Sequence, residues 1–179
     1  ANTRELTRSM RVDPRVQQDA QEYLKALLEE SSTALYKGQG KTVLEVTPAE
    51  AEEIGEKVSK EKSENFTDLS LDLRPTLKES IEALLEPEVL EDKWKTPNHG
   101  YRHATKKWAV SKLPDVLLIH LKRFAYARGS ITKLGSSLDF PLDFVNYFKE
   151  NEHYRLHAVV VHAGDGLSGH YYAFIDPHL

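Results

Sequence analysis

A glycine-rich loop ends on His170, which begins the apolar segment GHYYAFID. Glycines at positions 164, 166 and 169 allow a tight or mobile loop, and loops held by a rigid sheet commonly carry reactive groups. An imidazole can accept a proton at physiological pH, so a histidine placed there can act as a general base for a nucleophile. Without partners in view, the residues alone favour a structural or surface histidine.

The nucleophile for such a base is not a cysteine of this chain, because the sequence contains none. The same absence excludes disulfides and thiolate metal sites. An unrelated α+β hydrolase using Ser168 is an alternative, which we rank last. None of the eight histidines forms a His-x-x-x-His pair on a predicted helix, so we expect no metal and no cofactor.

Composition indicates a single domain over residues 1–179, because 40% hydrophobic residues can form an ordinary core. The formal net charge of −4 argues against a nucleic-acid partner, which normally meets a basic patch. No apolar run approaches the length that spans a bilayer, so we expect a soluble domain with no membrane partner. The amino terminus, ANTRELTRSM, looks like the cut edge of a longer chain.

The first elements that must position a site lie in residues 1–65. Apolar residues at helical spacing predict an amphipathic helix over residues 14–30, with Asp13 as its cap. Asp19 and Glu22, three residues apart, would share one face of that helix, where a solvated surface is the simplest interpretation. Residues 31–65 are polar and charged and predict a peripheral, poorly packed region.

Residues 66–179 are predicted to be mostly sheet. FTDLSLDL alternates apolar and polar residues as a half-buried strand does, and TLKESIEALLEP predicts a helix near 76–86 with a Thr76/Glu79 capping box. The remaining strand candidates are PDVLLIHLKRF, SSLDFPLDF, YRLHAVVVHA and GHYYAFID. Early helices and late strands indicate the α+β class.

Three ordered blocks, QQDAQEYLKALLEE, LPDVLLIHLKRFAY and YRLHAVVVHAGDGLSGHYYAFI, resemble the ubiquitin-specific proteases, thiol deubiquitinases with a papain-like core. The resemblance runs from about Leu6 to the carboxyl end. It implies part of a papain-like fold: the late helix of the helical lobe plus the antiparallel palm and finger sheet, with residues 31–65 as a finger-like variable region. Family zinc positions correspond to KTVLEV and WKTPNHG, which lack cysteine, so zinc is not expected.

The resemblance assigns the catalytic base to His170. It implies that the cysteine belongs to a block preceding Ala1 and that an Asp or Asn beyond Leu179 orients the imidazole, as nucleophile, base and orienter require. Asp176 follows His170 on the same predicted strand and is not assigned that third role. This chain alone should therefore be inactive as a protease.

The family binds the arginine-containing tail of ubiquitin in a cleft, and the resemblance implies which side chains line it. Carboxylates would pair with the tail arginines, aromatic residues would line the tunnel over its Gly-Gly end, and core packing competes with each aromatic assignment. Residues 127–137 and 163–169 would be movable lids. The implied tail-binding residues are Asp19, Glu22, Phe124, Tyr126, His162, Gly169 and Tyr171.

Two functional hypotheses follow. The first is part of a deubiquitinase domain that, in its complete parent, hydrolyses isopeptide bonds at the ubiquitin carboxyl terminus. The second is a non-catalytic ubiquitin-binding or scaffolding module that has lost its cysteine. Both predict ubiquitin or ubiquitinated proteins as partners, and a cysteine-free chain is compatible with a cytoplasmic or nuclear location. The sequence leaves the oligomeric state open.

Overall fold

The computed structural model describes residues 19–31, 34–127, 129–148, 151–166 and 168–178. Among these residues, three α-helices and a short 3₁₀ turn alternate with strands in the first half of the chain, and the second half is sheet. Strands are thus not confined to the late part of the sequence. The helices are α1 (Ala20–Ser31), α2 (Pro48–Ile54) and α3 (Leu77–Leu85), and the 3₁₀ turn is Ala34–Tyr36.

Helix α1 begins later than its predicted start. The Asp19 carboxylate accepts hydrogen bonds from the backbone N–H groups of Gln21 and Glu22, so Asp19 caps the helix instead of lying within it. The predicted cap Asp13, with the first residues of the predicted helix, lies outside the described residues. Asp19 and Glu22 therefore do not share a helix face, because one precedes the helix and the other is in its first turn.

Residues 38–46 and 59–66 form two strands with a helix at 48–54 between them, where the sequence predicted a poorly packed region. Strand β1 (Gly38–Val46) pairs antiparallel with β2 (Ser59–Phe66) on one side and with β7 (Ala104–Lys112) on the other, and β4 (Glu88–Val89) pairs with the far edge of β7. We call this four-stranded sheet the finger sheet.

The tip of the finger sheet is closed by polar contacts. Helix α2 starts at the Thr47 cap and ends at Gly55, whose positive φ suits glycine. Arg102 donates to the carboxylates of Glu50 and Glu53 at 3.0 and 2.8 Å and so ties a small hairpin to α2. That hairpin is β5 (Trp94–Lys95) with β6 (Tyr101–Arg102).

The hydrophobic core lies under strand β3 (Asp68–Asp72), which pairs with β8 (Leu118–Lys122). This pair is parallel, an exception to the antiparallel sheet expected. The Thr76 and Glu79 side chains and backbones form the predicted capping box, and Pro87 follows the end of α3. The buried apolar cluster comprises Leu69, Leu71, Leu77, Ile81, Leu138 and Phe144.

Three further hairpins complete the chain. Each is a separate two-stranded antiparallel sheet in the described residues. Within those residues, no helix has the length and apolar content needed to cross a bilayer. The hairpins are β9 (Phe124–Ala127) with β10 (Ser130–Lys133), β11 (Asp143–Val145) with β12 (His153–Arg155), and β13 (Ala158–Gly164) with β14 (Gly169–Ile175).

Candidate functional site

The predicted base, His170, lies at the start of β14, opposite Ala163 in the β13–β14 ladder. The loop between the strands is closed by two hydrogen bonds: Asp165 N–H donates to the Ser168 carbonyl at 3.0 Å, and Ser168 N–H donates to the Asp165 carboxylate at 2.9 Å. The His170 side chain is exposed. Its imidazole is therefore presented to solvent by a short, closed turn, which leaves it open to a reacting partner.

His162 is the centre of a cluster beside that turn. Its ring lies 4.8 Å from the Tyr171 ring and 5.5 Å from the Phe124 ring, centroid to centroid. A Cβ at Gly169 would lie 2.2 Å from His162 Nε2, so the histidine ring occupies the space that any side chain at 169 would need. His162 Nδ1 is buried and has no hydrogen-bond partner among the described residues.

Asp19 joins this cluster to helix α1. Asp19 Oδ1 accepts the capping hydrogen bonds at 2.8 and 3.1 Å, while Oδ2 accepts a 3.3 Å hydrogen bond from the Tyr171 hydroxyl. Burial, reinforced by the Asp19 charge, raises the pKa of Tyr171 and keeps its hydroxyl a donor. The structure thus brings together Phe124, His162, Gly169, Tyr171 and Asp19, next to His170.

Two predicted tail-binding side chains lie outside this cluster. Tyr126 is 77% exposed on β9, paired with Ile131 of β10. Glu22 is exposed in the first turn of α1, and in the described structure it contacts the cluster through its backbone N–H to Asp19. Neither side chain is held in place by the contacts that fix the other five.

Residues that sequence reasoning missed hold the cluster in position. Asp68, at the start of β3, accepts a 2.9 Å hydrogen bond from Gln21 Nε2 and pairs with Lys25 Nζ at 3.7 Å, which fastens α1 to the core sheet. Lys133 Nζ donates to the carbonyls of His162 and Gly164. Gln21 lies within the QQDAQEY block, a signal that could have found it, whereas no spacing pattern marks Lys133.

The two segments predicted as lids contact each other. A Cβ at Gly166 would lie 2.6 Å from the Ile131 carbonyl oxygen, so the two backbones are in direct contact there. Gly129 has a positive φ at the turn between β9 and β10. The predicted mobility of these segments stays a prediction.

A metal site needs several His, Cys, Asp or Glu side chains close together. His99 and His103 do have His-x-x-x-His spacing, but they flank strand β6 instead of lying on a helix. His99 Nε2 lies 2.8 Å from the Glu56 carboxylate. Among the described residues, no three His, Cys, Asp or Glu side chains converge as metal ligands would.

Comparison with known proteins gives a consistent family signal. The family model described as ubiquitin carboxyl-terminal hydrolase matches residues 2–178. The chain is 33% identical to ubiquitin carboxyl-terminal hydrolase 7 of Drosophila melanogaster over 98% of its own length, and 39% identical to ubiquitin carboxyl-terminal hydrolase 8 of Arabidopsis thaliana over 53%. It spans 17% and 12% of those relatives.

Solved structures agree. The SAGA Ubp8/Sgf11/Sus1/Sgf73 DUB module bound to ubiquitin aldehyde has a chain that superposes with a TM-score of 0.74 at 27% identity. The match covers 89% of this chain and 42% of that one. A second structure of the SAGA DUB module, with a substituted Ubp8 and bound to monoubiquitin, gives a TM-score of 0.74 at 26% identity. The partial papain-like α+β fold expected from the sequence is confirmed.

Proposed function

This chain belongs to the ubiquitin carboxyl-terminal hydrolase family, and from that premise we propose that it recognises the carboxyl-terminal tail of ubiquitin. In the complete parent protein it would carry the base for thiol-dependent hydrolysis of isopeptide bonds. The solved relatives that it superposes on are bound to ubiquitin aldehyde and to monoubiquitin. Their occupancy supports ubiquitin as the partner proposed here.

The observation that carries the proposal is the Asp19–Tyr171–His162 cluster beside His170. One oxygen of Asp19 caps α1, whereas the other accepts, within the described part of the chain, one long hydrogen bond from Tyr171; a carboxylate oxygen can accept a second donor. A carboxylate in this arrangement suits an arginine of the ubiquitin tail. The bare backbone at Gly169 and the rings of Phe124 and His162 suit a narrow, side-chain-free peptide.

His170 would take the proton of a cysteine thiol supplied from outside this chain. The thiolate would then attack the carbonyl carbon of the isopeptide bond, and the imidazolium would return the proton to the departing lysine amine. The exposed position of His170 at a strand start makes the imidazole accessible to such a partner. This chain has no cysteine, so we expect no hydrolysis from it alone.

A non-catalytic ubiquitin-binding module is the second candidate. The cysteine-free sequence favours it, because recognition by the Asp19–Tyr171–His162 cluster needs no nucleophile. Both candidates require the same tail contacts. They differ in whether the parent protein supplies a cysteine within reach of His170, which adding a thiol-reactive ubiquitin probe to the parent protein would test.

Tail-dependent binding tests the proposal directly. We would titrate this chain with ubiquitin and with ubiquitin lacking its carboxyl-terminal tail, following backbone amide resonances by NMR because weak affinity is then still measurable. Shifts that saturate with intact ubiquitin and vanish without the tail are expected. A folded chain that binds neither form would contradict the proposal for this chain.

Asp19→Asn isolates the proposed charge from the capping role. Asparagine keeps an oxygen that can cap α1 but removes the carboxylate charge, so the helix should persist while tail affinity falls. We expect a loss of about 1–3 kcal/mol, the worth of a hydrogen bond to a charged group. Asp72→Asn, at an exposed position on β3, is the matched control. Unchanged affinity in Asp19→Asn would refute this assignment.

A further inference from the structure

Two hairpins meet at the candidate site without sharing a sheet. The β9–β10 hairpin and the β13–β14 hairpin each form their own ladder, and no backbone ladder joins them within the described residues. An isolated two-stranded hairpin is marginally stable in water. The position of His170 at the start of β14 therefore depends on the contacts that hold the β13–β14 hairpin in place.

Lys133 makes the main polar connection between them. Its Nζ donates to the His162 carbonyl at 2.7 Å and to the Gly164 carbonyl at 3.0 Å. Carbonyls two residues apart in a strand point to the same edge, so one ammonium group satisfies two acceptors of β13 that a neighbouring strand would otherwise take. Hydrogen bonds from a charged donor are about twice as strong as neutral ones.

The register of the β13–β14 hairpin places the Lys133 contact directly opposite His170. His162 and Gly164 flank Ala163, and Ala163 is the residue opposite His170. Lys133 thus binds the β13 backbone on both sides of Ala163, the residue paired with the predicted base. It also holds the backbone of His162, whose ring packs against Phe124 of the first hairpin.

Packing at the loop adds a second connection. Gly166, in the loop before His170, lies against the Ile131 backbone so closely that a Cβ would come within 2.6 Å of the carbonyl oxygen. Lys133 and Ile131 belong to the same short strand, β10. One strand of the first hairpin therefore contacts both β13 and the loop that leads to His170.

We propose that Lys133 is a positioning residue that locks the β13–β14 hairpin, and with it His170 and His162, onto the β9–β10 hairpin. Its two hydrogen bonds couple a predicted lid to the predicted base, so the base is held in place while the lid is docked. The inference deepens the proposed function, and it rests on that function for the identity of His170 as the base.

Lys133→Met removes the ammonium and keeps an unbranched side chain of similar length. We would measure amide hydrogen exchange in β13 and β14 by NMR, together with the resonance of the His170 Cε1–H group and tail-dependent ubiquitin affinity. Exchange in the hairpin should accelerate by about tenfold or more, in line with loss of a charged hydrogen bond. The His170 resonance should shift or broaden, and exchange in β1 and β7 should stay unchanged.

Conservative and control variants separate positioning from general destabilisation. Lys133→Arg keeps a cationic donor and should restore most of the wild-type exchange and His170 signal. Lys107→Met, which removes an exposed lysine on β7, should alter neither. Gly166→Ala leaves Lys133 intact but forces the loop away from Ile131, and it should reproduce the faster exchange even if Lys133→Met fails to fold.

Hairpin exchange and a His170 signal in Lys133→Met that match the wild type would overturn the proposal. So would acceleration spread equally over the finger sheet, because Lys133 would then act on global stability alone. These readouts need no ubiquitin. If the wild-type chain shows no tail-dependent binding, the proposed function fails while the exchange data still decide the role of Lys133.

Discussion

The finger sheet and the two hairpins at the candidate site are held together by different means. In the finger sheet, β1 is paired along its length on both sides, and Arg102 closes the tip onto α2. At the site, two separate hairpins are connected by a lysine, an aromatic contact and a backbone contact at Gly166. Backbone ladders distribute stability over many residues, whereas the site concentrates it in a few side chains.

This contrast teaches where single substitutions should act. A single substitution in the finger sheet leaves the backbone hydrogen bonds of the neighbouring residues in place, so we expect the structural change to stay local. A single substitution at the site removes a large share of the few contacts that position the β13–β14 hairpin, which carries His170. Elements that move or bind are expected at the low-stability end of a domain, which is where the two-stranded hairpins belong.

The hydrophobic core, on which the finger sheet packs, gives the largest expected effect. Ile81 is fully buried in α3, and partly buried Phe66 and Trp108 of the finger sheet pack on the same cluster. Ile81→Ala should cost about 2–5 kcal/mol of unfolding free energy through lost burial and a cavity. Urea denaturation followed by circular dichroism measures it. A loss below about 1 kcal/mol would show that the fold does not depend on burial at this position.

A matched pair of glycines compares the regions directly. Gly169→Ala would bring a Cβ within 2.2 Å of His162 Nε2 and 2.5 Å of the Ala163 carbonyl, and Gly40→Ala within 2.5 Å of the Trp108 ring. We expect each to cost about 1–3 kcal/mol from overpacking, and only Gly169→Ala to weaken tail-dependent ubiquitin binding. Thermal denaturation and the ubiquitin titration check both. Equal loss of ubiquitin binding in the two variants would contradict the proposal that the site hairpins, and not the finger sheet, bind the ubiquitin tail.

Arg102→Met tests the finger tip alone. It removes both hydrogen bonds to Glu50 and Glu53 and the one from Nε to the His99 carbonyl. Amide exchange should accelerate in the β5–β6 hairpin and at the start of β7, with little change in β13 and β14. Lys112→Met, at an exposed position at the other end of β7, is the control. Altered exchange around His170 would mean that the two regions are coupled.

Lowering the pH gives the smallest expected effect on stability, and this effect again arises at the tip of the finger sheet. The backbone N–H of His103, against the opposing effect of burial and with help from Arg102, holds the pKa of Glu50 below its ordinary value of 4.5. A lowered folded-state pKa means that Glu50 stabilises the fold above pH 4.5 and that this contribution is lost as pH falls through the lower value. The melting temperatures of wild type and Glu50→Gln should therefore converge between about pH 5 and pH 3. A difference that stays constant with pH would exclude the charge as its cause.

Local sequence determined most of the individual elements. The Thr76/Glu79 capping box and the alternation of Leu69 and Leu71 predict α3 and β3 because capping and burial depend on near neighbours. The polar stretch over residues 31–65 predicted a peripheral, poorly packed region and did not predict strands β1 and β2. Strand β2 is almost wholly exposed, so it lacks an apolar signature and is held by its ladder to β1.

The site was only partly accessible from sequence. The glycine-rich loop and the strand that starts at His170 predicted a candidate base, and the resemblance to the family predicted tail-binding residues in all three blocks. Asp19 as a helix cap that reaches Tyr171 across 152 positions could not be read locally. Neither could the parallel pairing of β3 with β8, which is set by the distant LLIHL segment.

The sequence by itself decided the α+β class, the membership implied by its three blocks, and the absence of a cysteine nucleophile from this chain. Tertiary structure alone decided which predicted residues meet: it gathered four of them around His162 and left Tyr126 and the Glu22 side chain outside. It also revealed Lys133 as the link between two hairpins. The physical reason is that helix and strand signals arise from neighbours in sequence, whereas a site is made by contacts between segments that only folding brings together.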